Sequence, residues 1–152
     1  MPRTHRIKRF EMESSAASSA PSDVMMETIL SPGTWPHWQS EILSTDGPER
    51  LTEGSVVDGA ARLLGFDVTG RSIASTVRDD VFEEDVIVGV QMRISYRVAP
   101  SGRGSIVTRR MDAELPGGVA GRLLSTLLRW RLKKMQTSLL DRLRDQAEGA
   151  SR

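Results

Sequence analysis

The chain has 152 residues, enough for one domain with a substantial core, and an apolar and charged content ordinary for a soluble globular protein. Its 21 Lys and Arg nearly balance 20 Asp and Glu, so overall charge points to no polyanionic partner. The absence of cysteine excludes disulfides, thiolate metal sites and cysteine nucleophiles together.

Met1 to Arg6 reads as a basic, frayed tail; no apolar run follows it, and nothing approaches a membrane span, so a cytoplasmic protein is expected. Ile7 to Ser14 reads as a strand with Phe10 and Met12 inward, and Ser14 to Ser19 as a connector. Pro21 opens a short amphipathic helix carrying Val24, Met25, Thr28 and Ile29, which Ser31-Pro32-Gly33 ends. Thr34 is placed to cap a second short turn with Trp35, Pro36 and Trp38.

Strands follow from Ile42. Val57, Gly59, Ala61 and Leu63 alternate with Asp58, Ala60 and Arg62; a bulge near Gly70 would reconcile Phe66 and Val68 with Ile73 and Val77. Val81 to Val88 is the next strand. Met92, Ile94, Tyr96 and Val98 then make a clear half-buried one, a hairpin follows at Pro100 to Gly104, and Ile106 to Leu115 is the last. After Pro116-Gly117-Gly118 a long helix can run to about Ala147, roughly 45 Å at 1.5 Å per residue. Leu124, Leu128, Leu132, Met135, Leu139 and Leu143 fall on one stripe of it. With no helix of comparable size to receive it, that stripe must face the sheet.

Strict alternation turns Arg109 inward with Val107 and Met111, and Glu84 inward with Phe82 and Val86. An unpaired buried charge is costly, so a register shift or bulge sending each to solvent is the favoured reading. If both do point inward, Glu84 is a partner for Arg109. Tyr96, the sole tyrosine, reads as a core residue with a satisfied hydroxyl. Trp35 and Trp38 would either frame a cavity entrance or leave Trp38 plugging the core with Trp35 partly exposed. His37 lacks a partner for catalysis, and two histidines make a metal site improbable; neither phosphate-binding glycine motif is present. Small Gly59, Ala61, Ala74 and Ala113 with Met12, Met92, Met111 and Met135 would shape an apolar space. On the opposite helix face, Trp130 with Leu123 and Leu127, edged by Arg129, Lys133 and Lys134, would be a peripheral membrane or homodimer contact, or a solvated face.

The order and spacing of Ser19-Ala20-Pro21-Ser22-Asp23-Val24, Trp35-Pro36-His37-Trp38, Tyr96-Arg97-Val98 with the following hairpin, and the Leu-rich helix resemble the SRPBCC superfamily (START or Bet v 1-like). Within it the likeness is to the bacterial polyketide cyclase/dehydrase-like branch, although Met25 stands where many members carry tryptophan. The resemblance implies an α+β helix-grip fold: a curved antiparallel sheet around the long C-terminal helix, with two short helices between the first two strands. It also implies one domain over 7–147, flanked by tails at 1–6 and 148–152. A small hydrophobic ligand, polyketide-, lipid- or quinone-like, would then sit between sheet and helix. Trp35, Trp38, Ala61, Glu84, Met92, Tyr96, Arg109, Met111, Leu124 and Leu128 would be its contacts. No cofactor, metal or nucleic acid is expected. The competing readings are a cyclase or dehydratase using Tyr96, Arg109 or Glu84, and a lipid or quinone carrier docking through Trp130.

Overall fold

The computed structural model describes residues 8–63, 65–88, 90–115 and 119–151; at 8, 63, 115 and 119–128 the backbone alone is described. The chain runs through β1 (Lys8–Ser18), α1 (Ser22–Ile29), a 3₁₀ turn (Pro32–Thr34) and α2 (Trp35–Trp38). It continues through β2 (Ile42–Asp46), β3 (Val56–Leu63), β4 (Phe66–Val77), β5 (Val81–Ile87), β6 (Gln91–Ser101), β7 (Gly104–Leu115) and α3 (Val119–Ala150). Among the described residues seven strands form one antiparallel sheet, ordered β1-β7-β6-β5-β4-β3-β2. This is the helix-grip arrangement, with α3 about 48 Å long from its 32 residues.

The period-2 pattern of β6 works as its sequence implies: Ile94, Tyr96 and Val98 are buried, while Arg93 and Arg97 face solvent. On α3, Leu139, Leu140, Leu143 and Ala147 are buried and Leu132 and Met135 are half-buried. The side chains of Leu124 and Leu128, like residues 1–6 and 116–118, lie outside what is described. The helix also passes the expected end at Ala147, reaching Ala150. Its C-terminal end is tied down where Glu148 Oε1 accepts from the Ser19 amide at 2.9 Å and the Ser18 hydroxyl at 3.1 Å. Those bonds hold the Glu148 carboxyl below its usual range, the Ser19 amide contributing most.

Three local expectations are corrected. Ser14 to Ser18 is not a connector but the second half of β1, paired with Arg109 through Ser105 of β7. Its small residues carry no apolar alternation, yet the backbone ladder with β7 needs none. The strand irregularity in β4 falls between Ala74 and Thr76, not near Gly70. Phe66 is 73% exposed and Ile73 faces outward, so no bulge is required to bring them to one face. Thr34 precedes α2 but does not cap it with its side chain. Its hydroxyl donates to the carbonyls of Ser31 and Thr28 and accepts from Trp38 Nε1 at 3.1 Å.

Candidate ligand site

The core fills unevenly. Towards the C-terminal end of α3, Trp38, Tyr96, Phe82, Met25, Ile29, Val107, Leu140 and Leu143 are almost wholly buried. Tyr96 stacks on Phe82 with ring centroids 5.9 Å apart and meets Trp38 edge-on at 6.1 Å. Towards β2 and β3 the inner face is built from small residues, and a cavity of about 140 Å³ is left under the middle of α3. Trp35, Val57, Met92, Ile94, Met111, Leu132 and Met135 give it an apolar wall, and Gly59 and Ala61 give it depth. A Cβ on Gly59 would lie 2.6 Å from the Ser44 carbonyl oxygen, so glycine there also lets β2 approach β3. The Trp35 ring is fixed by its Nε1–H donating to the Ile29 carbonyl at 2.9 Å.

Glu84 and Arg109 both enter this space. Each is only 3% exposed, so the turn to solvent that buried-charge cost argued for does not occur. β5 and β7 hold regular register with β6 through both positions, and alternation carries both side chains inward. Arg109 is accommodated by neutral partners: Nε–H donates to the Tyr96 hydroxyl at 2.9 Å and Nη1–H to Gln136 Oε1 at 2.7 Å. Gln136 Nε2 donates back to the Arg109 carbonyl at 3.2 Å. The guanidinium also lies 5.5 Å above the Tyr96 ring. Glu84 is not the direct partner of Arg109; its carboxylate oxygen Oε2 accepts from the Ser72 hydroxyl at 2.5 Å. Burial pushes the Glu84 carboxyl up, against the opposing pull of the Ser72 hydrogen bond and the Arg109 charge. Burial likewise pushes the Tyr96 phenol up to about 12.

Of the expected contacts, Trp35, Ala61, Glu84, Met92, Arg109 and Met111 line the cavity. Trp38 and Tyr96 do not reach it: Trp38 plugs the core, and Tyr96 stands behind Arg109 as its hydrogen-bond partner. Leu124 and Leu128 fall where side chains are not described. Ala74 and Ala113 are buried elsewhere in the core, and Met12 packs with Phe10 and Ala113. Sequence reasoning does not find Gln136 or Ser72. Gln136 was detectable, because Leu132, Gln136 and Leu140 are spaced four apart, setting one polar residue on an apolar helical row.

Trp130 is 63% exposed, with Lys134 Nζ 5.5 Å above its ring. Leu123 and Leu127, expected beside it, lie outside the described side chains. Among the described residues no helix is long and apolar enough to cross a membrane.

A curved sheet gripping one long helix over a partly apolar cavity is the helix-grip class of fold. The chain belongs to the polyketide cyclase/dehydrase and lipid transport family, whose profile matches residues 9–148. No curated protein sequence matches it. Among solved structures it is similar to TTHA0849 from Thermus thermophilus, with a TM-score of 0.82 and 17% identity over 94% of this chain and 100% of that one. It is also similar to the Zhui aromatase/cyclase from Streptomyces sp. R1128, with a TM-score of 0.77 and 15% identity over 95% and 97%. A START superfamily protein from Mycobacterium smegmatis aligns with a TM-score of 0.70 and 13% identity over 89% and 97%. At these identities the likeness establishes the fold.

Proposed function

We propose that the chain, acting as one domain over 7–147, binds a small hydrophobic ligand between the sheet and α3. The observation that carries this reading is the unfilled space itself. In a close-packed interior a space of about 140 Å³ is large: an apolar cavity of roughly 150 Å³ holds a benzene molecule. The volume suits one ring, or one end of a longer polyketide-, lipid- or quinone-like molecule. Trp35, Ala61, Met92 and Met111 would contact the apolar body, with Glu84 and Arg109 at its polar end. Native mass spectrometry of the protein purified from its source tests this. A single small molecule retained at one per chain is expected. Bare protein that also fails to take up toluene from solution would overturn it.

A second reading, an enzyme of cyclase or dehydratase type, is favoured by one observation: Glu84 is a buried titratable carboxyl at the cavity wall. Tyr96 adds little to it, since its phenol sits behind Arg109 and holds its proton to about pH 12. Incubation with a candidate substrate would then return a changed mass, dependent on Glu84.

A further inference from the structure

Arg109 is a buried cation without an ion-pair partner among the described residues. Its two hydrogen bonds go to neutral groups, the Tyr96 phenol and the Gln136 amide, and use Nε and Nη1. Nη2 has no partner among the described residues. No fully buried side-chain nitrogen or oxygen among them lacks one, so Nη2 keeps some accessible surface. The space Arg109 lines is the cavity. By the same reasoning Glu84 Oε1 keeps some accessible surface, because only Oε2 is engaged, by Ser72, and Glu84 lines the same cavity.

The two free atoms stand on strands separated by β6, with Glu84 opposite Ile94 and Arg109 opposite Tyr96. They do not close into an ion pair. Burial favours the neutral form of Glu84, which leaves the Arg109 charge poorly compensated. The other charged groups touching the cavity do not change this balance. Glu41 is half-exposed, and Arg71 is exposed and pairs with Asp58 on the outer face. A buried guanidinium with an unused N–H pair is best satisfied by an anionic oxygen brought in by the ligand.

We propose that the cavity takes a small organic monoanion, an apolar body of about one ring carrying one carboxylate, and that Arg109 Nη2 is its anchor. This rests on the reading that the cavity binds an apolar ligand, and narrows it to a charge class. Ser72 and Gln136 are positioning residues, holding Glu84 and Arg109 in place.

Calorimetric titration of the full chain with benzoate, its neutral isostere benzamide, and toluene tests the idea at one pH and salt concentration. Benzoate should bind at least about tenfold more tightly than benzamide, a difference of about 1.4 kcal/mol. Arg109→Met should erase that preference. Equal affinities in the wild type would overturn the anionic anchor while leaving an apolar ligand site standing. Failure of all three compounds to bind would remove the apolar site and the proposal with it. Should Arg109→Met not fold, Glu84→Gln supplies the second arm, since it keeps shape and removes residual negative charge. Benzoate should then bind a few-fold more tightly; a loss of benzoate binding would show that Glu84, not Arg109, holds the ligand and would overturn the assignment.

Discussion

The two ends of the space beneath α3 are made from the same sheet and the same helix, yet one is solid and the other hollow. At the solid end aromatics from β5, β6 and α2 meet Leu140 and Leu143. At the hollow end β3 and β4 present Gly59, Ala61, Gly70 and Ser72, and the helix offers half-buried Leu132 and Met135. A helix held firmly at one end can span a cavity at the other, because the packed end supplies the stability that the hollow end forgoes. The proposed ligand sits where side-chain volume is withheld.

The contrast breaks first, and by most, at the helix. Leu143→Ala at the solid end should destabilise by about 3–4 kcal/mol, near the upper range for a fully buried leucine, in chemical denaturation. Leu132→Ala, beside an existing space, should lose only about 1–2 kcal/mol. Equal losses would mean the two ends are packed alike.

Enlarging matched alanines sharpens the same point. Ala74→Leu overfills a packed position and should cost about 1–3 kcal/mol, whereas Ala61→Leu grows into the cavity and should stay within about 0.5 kcal/mol of wild type.

A third prediction concerns pH. Glu84 has a folded-state affinity for protons above that of the unfolded chain, so its contribution to stability is full below the ordinary carboxylate range. That contribution is lost as pH climbs through the raised value. Glu84→Gln should therefore flatten the decline and gain relative stability as pH rises, measured by denaturant midpoints across the series. A constant offset at every pH would show that Glu84 titrates normally.

The smallest effect is expected outside both regions. Trp130→Ala should change stability by no more than about 0.5 kcal/mol, consistent with an exposed ring that Lys134 overlies.

Much of this architecture is legible in the sequence, because period-2 runs such as Met92 to Val98 and the leucine spacing on α3 carry their own geometry. What was hidden depends on pairing between distant segments. Ser14 to Ser18 becomes strand only through β7, and nothing in its small polar residues announces that. Alternation points Glu84 and Arg109 inward, but the expense of burial argues for the opposite. The structure resolves this with partners on other elements, Ser72 on β4 and Gln136 on α3, which no local pattern joins to them. Whether small inner-face residues pack tightly or leave room is likewise decided by the distance to the helix, and so Ala61 and Ala74 read alike in sequence and differ in space.

Whether the hollow end receives a ligand is decided by toluene binding to wild type and Ala61→Leu, measured as the shift in thermal midpoint with ligand. A concentration-dependent rise is expected for wild type and none for a folded Ala61→Leu protein. An equal rise in both, or none in either, would contradict it.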